Sequence, residues 1–296
     1  MKNIRLLALD LDGTALRSDG SLSEYNRTAL MEAREAGIHI AAASGRSHVS
    51  LPDEILSLPC VEYAITSNGA VVYDMKRKER LQVYYLKAAS VEGLLRIAEE
   101  AGVMVEGFLD GVPYSRYDYV EDPVRFGANP EAVAYVRRTR RPVEDIYSFL
   151  RFHKEELESL DLITGVPQKK EALRKRIQKE VKDIYLTSAV PMLLEASDSR
   201  GGKASGLAFL AGRLGIGPSE VAAFGNAEND LDMILWAGRG IAVANAPEAV
   251  RMRADEETES NDEDGVGRWI RRYLQGRAKD GTFTIPGSGK QFIPDV

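Results

Sequence analysis

The residues best suited to chemistry lie near the start of the chain, in Asp10-Leu11-Asp12-Gly13-Thr14. If extended geometry persists through this pentapeptide, side-chain alternation points Asp10 and Asp12 the same way and Leu11 elsewhere, and Gly13 lets the chain turn tightly away. Two carboxylates so close repel one another unless a cation or a shared proton offsets the charge. A hard divalent cation such as Mg2+ takes oxygen ligands and would also neutralise an approaching phosphate dianion. Asp10 could then attack phosphorus in line, while Asp12 protonates the leaving alcohol and later takes a proton from water. The competing reading of the pentapeptide alone is an acidic turn after a buried strand.

Other segments carry polar groups suited to the same chemistry. In Ala43-Ser44-Gly45-Arg46, Ser44 offers a hydroxyl and Gly45 an accessible amide, both fit for a phosphoryl oxygen, although a serine and a glycine after a strand also make an ordinary turn. Lys203 follows two glycines in Gly201-Gly202-Lys203, and Gly225-Asn226-Ala227-Glu228-Asn229-Asp230 follows an apolar run. Asn68-Gly69-Ala70, Asn245-Ala246 and Asn261 with Glu263-Asp264-Gly265-Val266 complete the set. Together and in this order, the motifs resemble the haloacid-dehalogenase (HAD) superfamily, and within it the Cof-type sugar and cofactor phosphatases with a large α/β cap of the C2 type. The resemblance runs from Ile4 to about Leu274.

The resemblance implies that Asp10 is a nucleophile forming an aspartyl-phosphate and that Asp12 is the acid/base, its carbonyl also on the metal. It implies that Ser44, Gly45 and Asn229 bind the phosphate, that Lys203 pairs with Asp10 and the transferring group, and that Mg2+ sits among Asp10, Asp12, Asn226 and Asp230. One position departs from the pattern: the family shows GDxxND, and Asn226 stands where it carries Asp. An amide offers one neutral oxygen, so the charge available to a hard cation falls by one and affinity should weaken unless Asp230 or Glu228 compensates. Asn68 and Asn245 are expected to order the surrounding loops.

These groups need elements to position them. Ile4 to Leu9 is almost continuously apolar and ends at Asp10, as suits a central parallel strand covered on both faces. Ser21 and Glu24 resemble a capping box opening a helix that Gly37 ends. Ile38–Ala42 and Tyr63–Thr66 read as strands delivering Ser44 and Asn68 to their carboxyl ends, where open α/β sheets bind ligands. From about residue 84 the rhythm changes. Helical patterns at Val91–Ala101, Pro130–Arg138 and Lys169–Lys179 alternate with extended ones at Val103–Phe108, Tyr147–Phe152 and Asp183–Thr187. The first pattern then resumes: helix Lys203–Leu214, strand Val221–Phe224, helix Asn229–Trp236, strand Ile241–Ala244, a helix near Pro247 and a last helix Gly265–Leu274. The expected fold is thus α/β, a Rossmann-like parallel-sheet core (1–83 and 187–275) with an inserted α+β cap (84–186) and a tail (276–296) of little structure.

The resemblance places substrate between core and cap, so residues 84–186 should set specificity; Arg116, Tyr117, Arg151 and His153 are candidate contacts, each with ordinary surface polarity as its alternative. The basic run Arg137, Arg138, Arg140, Arg141 could face a ligand, but reads first as a solvated helix end. Composition narrows the partners. With 39 Lys and Arg against 45 Asp and Glu, the net charge of -6 argues against nonspecific nucleic-acid binding. Cys60 alone makes no intrachain disulfide or thiolate cluster, and the apolar run ending at Asp10 is too short for a signal peptide or membrane span. The expectation is a cytoplasmic, Mg2+-dependent phosphatase for a small phosphorylated metabolite, monomer or homodimer, with no nucleic acid and no membrane. A phosphomutase of the same fold, or a binding protein with catalysis weakened at Asn226, are the alternatives.

Overall fold

The computed structural model describes residues 3–279 apart from 127, 129 and 166. Fourteen strands run in chain order: β1 (Leu6–Leu9), β2 (His39–Ala43), β3 (Tyr63–Thr66), β4 (Val71–Asp74), β5 (Glu79–Val83), β6 (Met104–Leu109), β7 (Val112–Arg116), β8 (Arg141–Val143), β9 (Leu157–Ile163), β10 (Ile184–Thr187), β11 (Leu193–Asp198), β12 (Val221–Gly225), β13 (Arg239–Val243) and β14 (Glu256–Thr258). They form two sheets, ordered β14-β13-β12-β1-β2-β3-β4-β5 and β10-β11-β9-β6-β7-β8.

The first sheet is parallel from β14 to β3 and ends in an antiparallel β4–β5 pair. Its apolar runs are continuous because both faces are covered. Leu7 and Leu9 pack with Leu30, Trp269 and Ile270 on one side, while Leu6 and Ala8 meet Leu207, Leu210 and Met233 on the other. Each such leucine, fully buried, stabilises the fold by roughly 1.5–3 kcal/mol. The helix Glu24–Glu35 is capped by Ser23, which accepts from the Asn26 amide, and not by the expected Ser21–Glu24 box, since Ser21 turns back to Asp19. Cys60 is buried in this core, and burial pushes its thiol up to about 11, the behaviour of an inert packing residue.

The second sheet is antiparallel except for the β7–β8 pair. One face carries Val105, Leu160, Leu162, Leu194 and Ala196 against the helices Ala88–Ala101, Ile146–Phe152 and Pro167–Glu180. The opposite face looks toward the first sheet. Its hairpin turn docks on the core, where the Val49 amide donates to the Gly111 carbonyl at 3.3 Å. Beside this turn Arg80 of β5 pairs with Asp110 at 2.9 Å and with buried Glu158 at 3.4 Å.

Four further expectations are corrected. Tyr147–Phe152, read as extended for its aromatics, is the helix Ile146–Phe152: Asp145 accepts from the Ser148 amide, and Ile146 and Leu150, one turn apart, both enter the cap core. Leu193–Asp198, placed in the resumed core, is the cap strand β11, hydrogen-bonded to β10 and β9, so the cap extends to Asp198 rather than ending at 186. The last helix continues to Lys279, past the boundary set at 276, and the remainder of the tail lies outside the described residues. Within the basic run, Arg140 is not solvated: its side chain, 13% exposed, pairs with Glu106 at 3.2 Å.

Candidate active site

Parallel register brings the polar strand ends together. Leu9 lies opposite Phe224 on one side and Ala42 on the other, so Asp10 stands between the residues that lead to Gly225 and to Ser44. The Asp10 amide donates to the Phe224 carbonyl at 3.0 Å. The chain then turns through Leu11–Ala15 on Gly13, whose φ of +74° is one a larger residue adopts only with strain. Asn245 holds this turn by donating to the Gly13 carbonyl at 2.8 Å and accepting from the Asn261 amide at 3.0 Å.

Lys203, the first residue of the helix Lys203–Leu214, is fully buried, with Nζ 2.7 Å from Asp10 Oδ1 and 2.6 Å from Asp230 Oδ1. Burial acts to discharge this ammonium, but the two carboxylates prevail and hold its pKa above the ordinary lysine value. Asp10 is raised, by burial first and then by the charge of Asp230, with Lys203 opposing both. Asp230 Oδ2 is engaged as well, accepting from the amides of Asn226 and Ala227, each at 2.9 Å. Asp10 Oδ2, by contrast, is buried with no hydrogen-bond partner among the described residues.

Asp12 does not share this enclosure. Its side chain turns outward to a two-pronged ion pair with Arg46, both contacts at 2.7 Å. The Arg46 guanidinium stacks 4.4 Å from the ring centre of Tyr135 on the cap, and Arg140 stacks on the same ring at 4.8 Å. Ser44 is buried and its Oγ accepts from the Arg46 amide at 3.1 Å, which faces the hydroxyl toward the loop bearing Gly45. Asn68 ties the site to the cap by donating to Glu195 at 3.0 Å, and Asn229 donates to Asn68 at 3.0 Å. Asn229 therefore sits behind Asn68 and orients it. Asn226 Oδ1 accepts from Thr14 Oγ1 at 3.2 Å.

Among the described residues no three acidic, imidazole or thiol side chains converge as a ready metal cage. Two departures account for that: Asp12 is drawn to Arg46, and position 226 is an amide. The orphaned Asp10 Oδ2 is nevertheless an anionic oxygen in want of a positive partner, and the Asp12 carbonyl and Asn226 amide supply neutral oxygens of the type a hard cation takes. Tyr135 and Glu195 carry no sequence signal for these roles, whereas Arg46 lies inside its Ser-Gly-Arg triplet and Arg140 in the basic run with a ligand-facing alternative. The four cap candidates lie elsewhere: Arg116 pairs with Asp118, Arg151 with Glu99 and His153 with Glu156, while Tyr117 and Arg116 line a cavity of about 530 Å³ that none of the residues above borders.

Comparison with known proteins agrees with this geometry. The family profile of haloacid dehalogenase-like hydrolases matches residues 7–270. The chain is 29% identical to "Phosphatase YwpJ" of Bacillus subtilis, over 92% of this chain and 100% of that protein. It is 27% identical to the "5-amino-6-(5-phospho-D-ribitylamino)uracil phosphatase YcsE" of the same organism, over 92% and 96%. A solved haloacid dehalogenase-like hydrolase from B. subtilis superposes with a TM-score of 0.80 at 26% identity, covering 90% of this chain and 99% of that one. With a parallel core, a second sheet inserted after β5 and a profile match across both, this chain belongs to the haloacid dehalogenase-like hydrolases, in the Cof-type branch, and is a phosphatase.

Proposed function

We propose that the chain is a Mg2+-dependent phosphatase that hydrolyses small phosphomonoesters of the sugar or cofactor kind through an aspartyl-phosphate on Asp10. The observation that carries this reading is Asp10 itself, buried, held on one oxygen by Lys203 and free on the other. Such a carboxylate is fixed in direction and has one oxygen available for phosphorus. The relative named for a ribitylamino-uracil phosphate points to the same substrate size.

The residues divide the work as follows. Ser44 Oγ and the Gly45 amide donate to the phosphoryl oxygens, and Lys203 offsets charge as the transfer proceeds. Asp10 attacks phosphorus, and Asp12, once released from Arg46 and carrying a proton, gives that proton to the departing alkoxide. In the second step Asp12 takes a proton from water, which attacks phosphorus and returns Asp10 to its carboxylate. Asp10, the Asp12 carbonyl and Asn226 would hold Mg2+, which would supply charge neutralisation for the phosphate dianion. Asp230, with both oxygens occupied, supports Lys203 and the 226–227 turn rather than binding metal directly.

Phosphate release from a panel of sugar phosphates and an aryl phosphate tests the reading. Turnover with Mg2+, loss of it on chelation, and loss in Asp10→Asn are expected. An intact protein that releases no phosphate with any divalent metal would instead favour a binding protein, the reading that Asn226 supports.

A further inference from the structure

The cap face that looks toward Asp10 carries acidic residues in one row. Cross-strand register sets Glu106 of β6 opposite Asp161 of β9, and Asp161 opposite Glu195 of β11. All three are buried, on the face opposite Val105, Leu160, Leu162 and Leu194. Like charges directly opposite on adjacent strands destabilise a sheet, so a row of three calls for compensation.

The two outer members have it. Glu106 pairs with Arg140, and Glu195 accepts from the Asn68 side chain at 3.0 Å and the Ala189 amide at 2.7 Å. Asp161, 5% exposed, does not. Its hydrogen-bond partner among the described residues is Ser159 Oγ at 3.5 Å, the outer limit of such a contact, and that hydroxyl lies closer, at 3.2 Å, to the Ala196 carbonyl. The Ser197 hydroxyl, two residues beyond Glu195 on the same face and packed against Gly201, is buried with no hydrogen-bond partner among the described residues. Burial, then Glu195 and Glu106, push the Asp161 carboxyl well above the ordinary range, the response of a buried acid that lacks a cation.

This row faces the chemistry. Glu195 lies against the phosphate loop, where a Cβ on Gly45 would come 2.6 Å from Glu195 Oε1. At the other end Glu106, Arg140, Tyr135, Arg46 and Asp12 form a continuous chain of contacts back to the core. Asp161 is thus the middle of a wall across from the phosphate loop, with Arg140 paired to Glu106 at one end, Lys203 acting on Glu195 at the other, and no ion pair to Asp161 itself among the described residues.

From this arrangement, and resting on the phosphatase reading above, we propose that Asp161 is a specificity-determining residue that receives a protonated amine on the leaving group. The substrate is an amino phosphate monoester: its phosphoryl group lies at Ser44 and Lys203, and its ammonium supplies the charge the acidic row lacks. A neutral hydroxyl in that place would offer Asp161 no cation to hold it as a carboxylate.

Matched substrate pairs test this: 2-aminoethyl against 2-hydroxyethyl phosphate, 4-aminobutyl against 4-hydroxybutyl phosphate, and glucosamine 6-phosphate against glucose 6-phosphate. In at least one pair the amine should be favoured by about 10-fold or more in kcat/KM, and Asp161→Asn should bring that ratio to within about twofold of unity. Because Asp161→Asn removes like-charge repulsion, its Tm should equal or exceed that of the parent, which separates a lost preference from a lost fold. No pair showing an amine preference, or a preference that survives in a well-folded Asp161→Asn, overturns the assignment. Turnover of 4-nitrophenyl phosphate by the unaltered protein distinguishes the two levels: its presence without an amine preference sinks the role of Asp161 alone, whereas no turnover of any ester sinks the phosphatase reading and this one with it.

Discussion

Replacing Lys203 by Met keeps most of the side-chain volume and removes the ammonium that lies between two buried carboxylates. Breaking a buried ion pair from one side costs about 3–5 kcal/mol, because the remaining charge stays in a medium that solvates it poorly. Asp230 keeps two amide donors at 2.9 Å, so the cost concentrates on Asp10, whose other oxygen already has no partner. Asp10 relieves it by taking a proton, and the sign of the pH dependence follows. With Lys203 present, Asp10 is raised from its ordinary 3.8 to about 7. A raised folded pKa contributes stability present at low pH and lost as pH rises through the folded value. Within that window each pH unit is worth about 1.36 kcal/mol. Between pH 8 and pH 5 the parent regains about 2.7 kcal/mol from this group, and a variant whose Asp10 titrates above pH 8 regains about 4.1 kcal/mol. The deficit of Lys203→Met should therefore be about 3–5 kcal/mol at pH 8 and smaller by about 1.4 kcal/mol at pH 5. Urea unfolding followed by Trp236 and Trp269 fluorescence at the two pH values measures both. A deficit below about 1 kcal/mol at pH 8, or one that grows toward pH 5, would refute the account of Lys203 as the counter-charge of Asp10.

Two further outcomes follow from the same geometry. Asn226→Asp restores an anionic oxygen near Asp10, so the Mg2+ concentration for half-maximal phosphate release should fall by about tenfold or more; an unchanged value would separate position 226 from the metal. Glu158 has no exposed side chain, one oxygen without a partner and a carboxyl pushed by burial from 4.5 up to about 7. Its neutral form is the one the fold prefers, so Glu158→Gln should stabilise the protein by on the order of 1–3 kcal/mol at pH 8 and by little at pH 4, read as Tm shifts; equal shifts at both would count against it.

Much of the core was legible because its signals are local. Asp10, Ser44, Asn68 and Asn226 each follow a short apolar run, and a parallel sheet gathers such strand ends without further instruction. The cap was legible only as a change of rhythm. Leu193 to Asp198 has strand composition, but composition does not say which sheet a strand joins, and β11 belongs to the cap although Lys203, five residues later, belongs to the core. The helix Ile146–Phe152 was masked by Tyr147, Phe149 and Phe152, whose β preference is overridden by the Asp145 cap and the buried Ile146–Leu150 pair. Arg46 bridges Asp12 and Tyr135, and Asp161 meets Glu106 and Glu195, through register and domain packing alone. No spacing in the chain encodes those meetings.

The return from cap to core is made within a few residues of the chemistry. Gly202 has a φ of +102°, its amide donates to the Asn68 carbonyl at 2.7 Å, and a Cβ on Gly69 would lie 1.9 Å from the Gly202 carbonyl oxygen. The crossing is thus sewn to the same loop that touches Glu195, and the next residue is Lys203. Excising the second sheet and splicing Val83 to Gly201 would not yield a minimal enzyme with a wide mouth, because the splice itself would have to recreate the path that delivers the lysine. Exchange of specificity modules between relatives should accordingly succeed when the graft ends before Asp198 and fail when it reaches through the paired glycines.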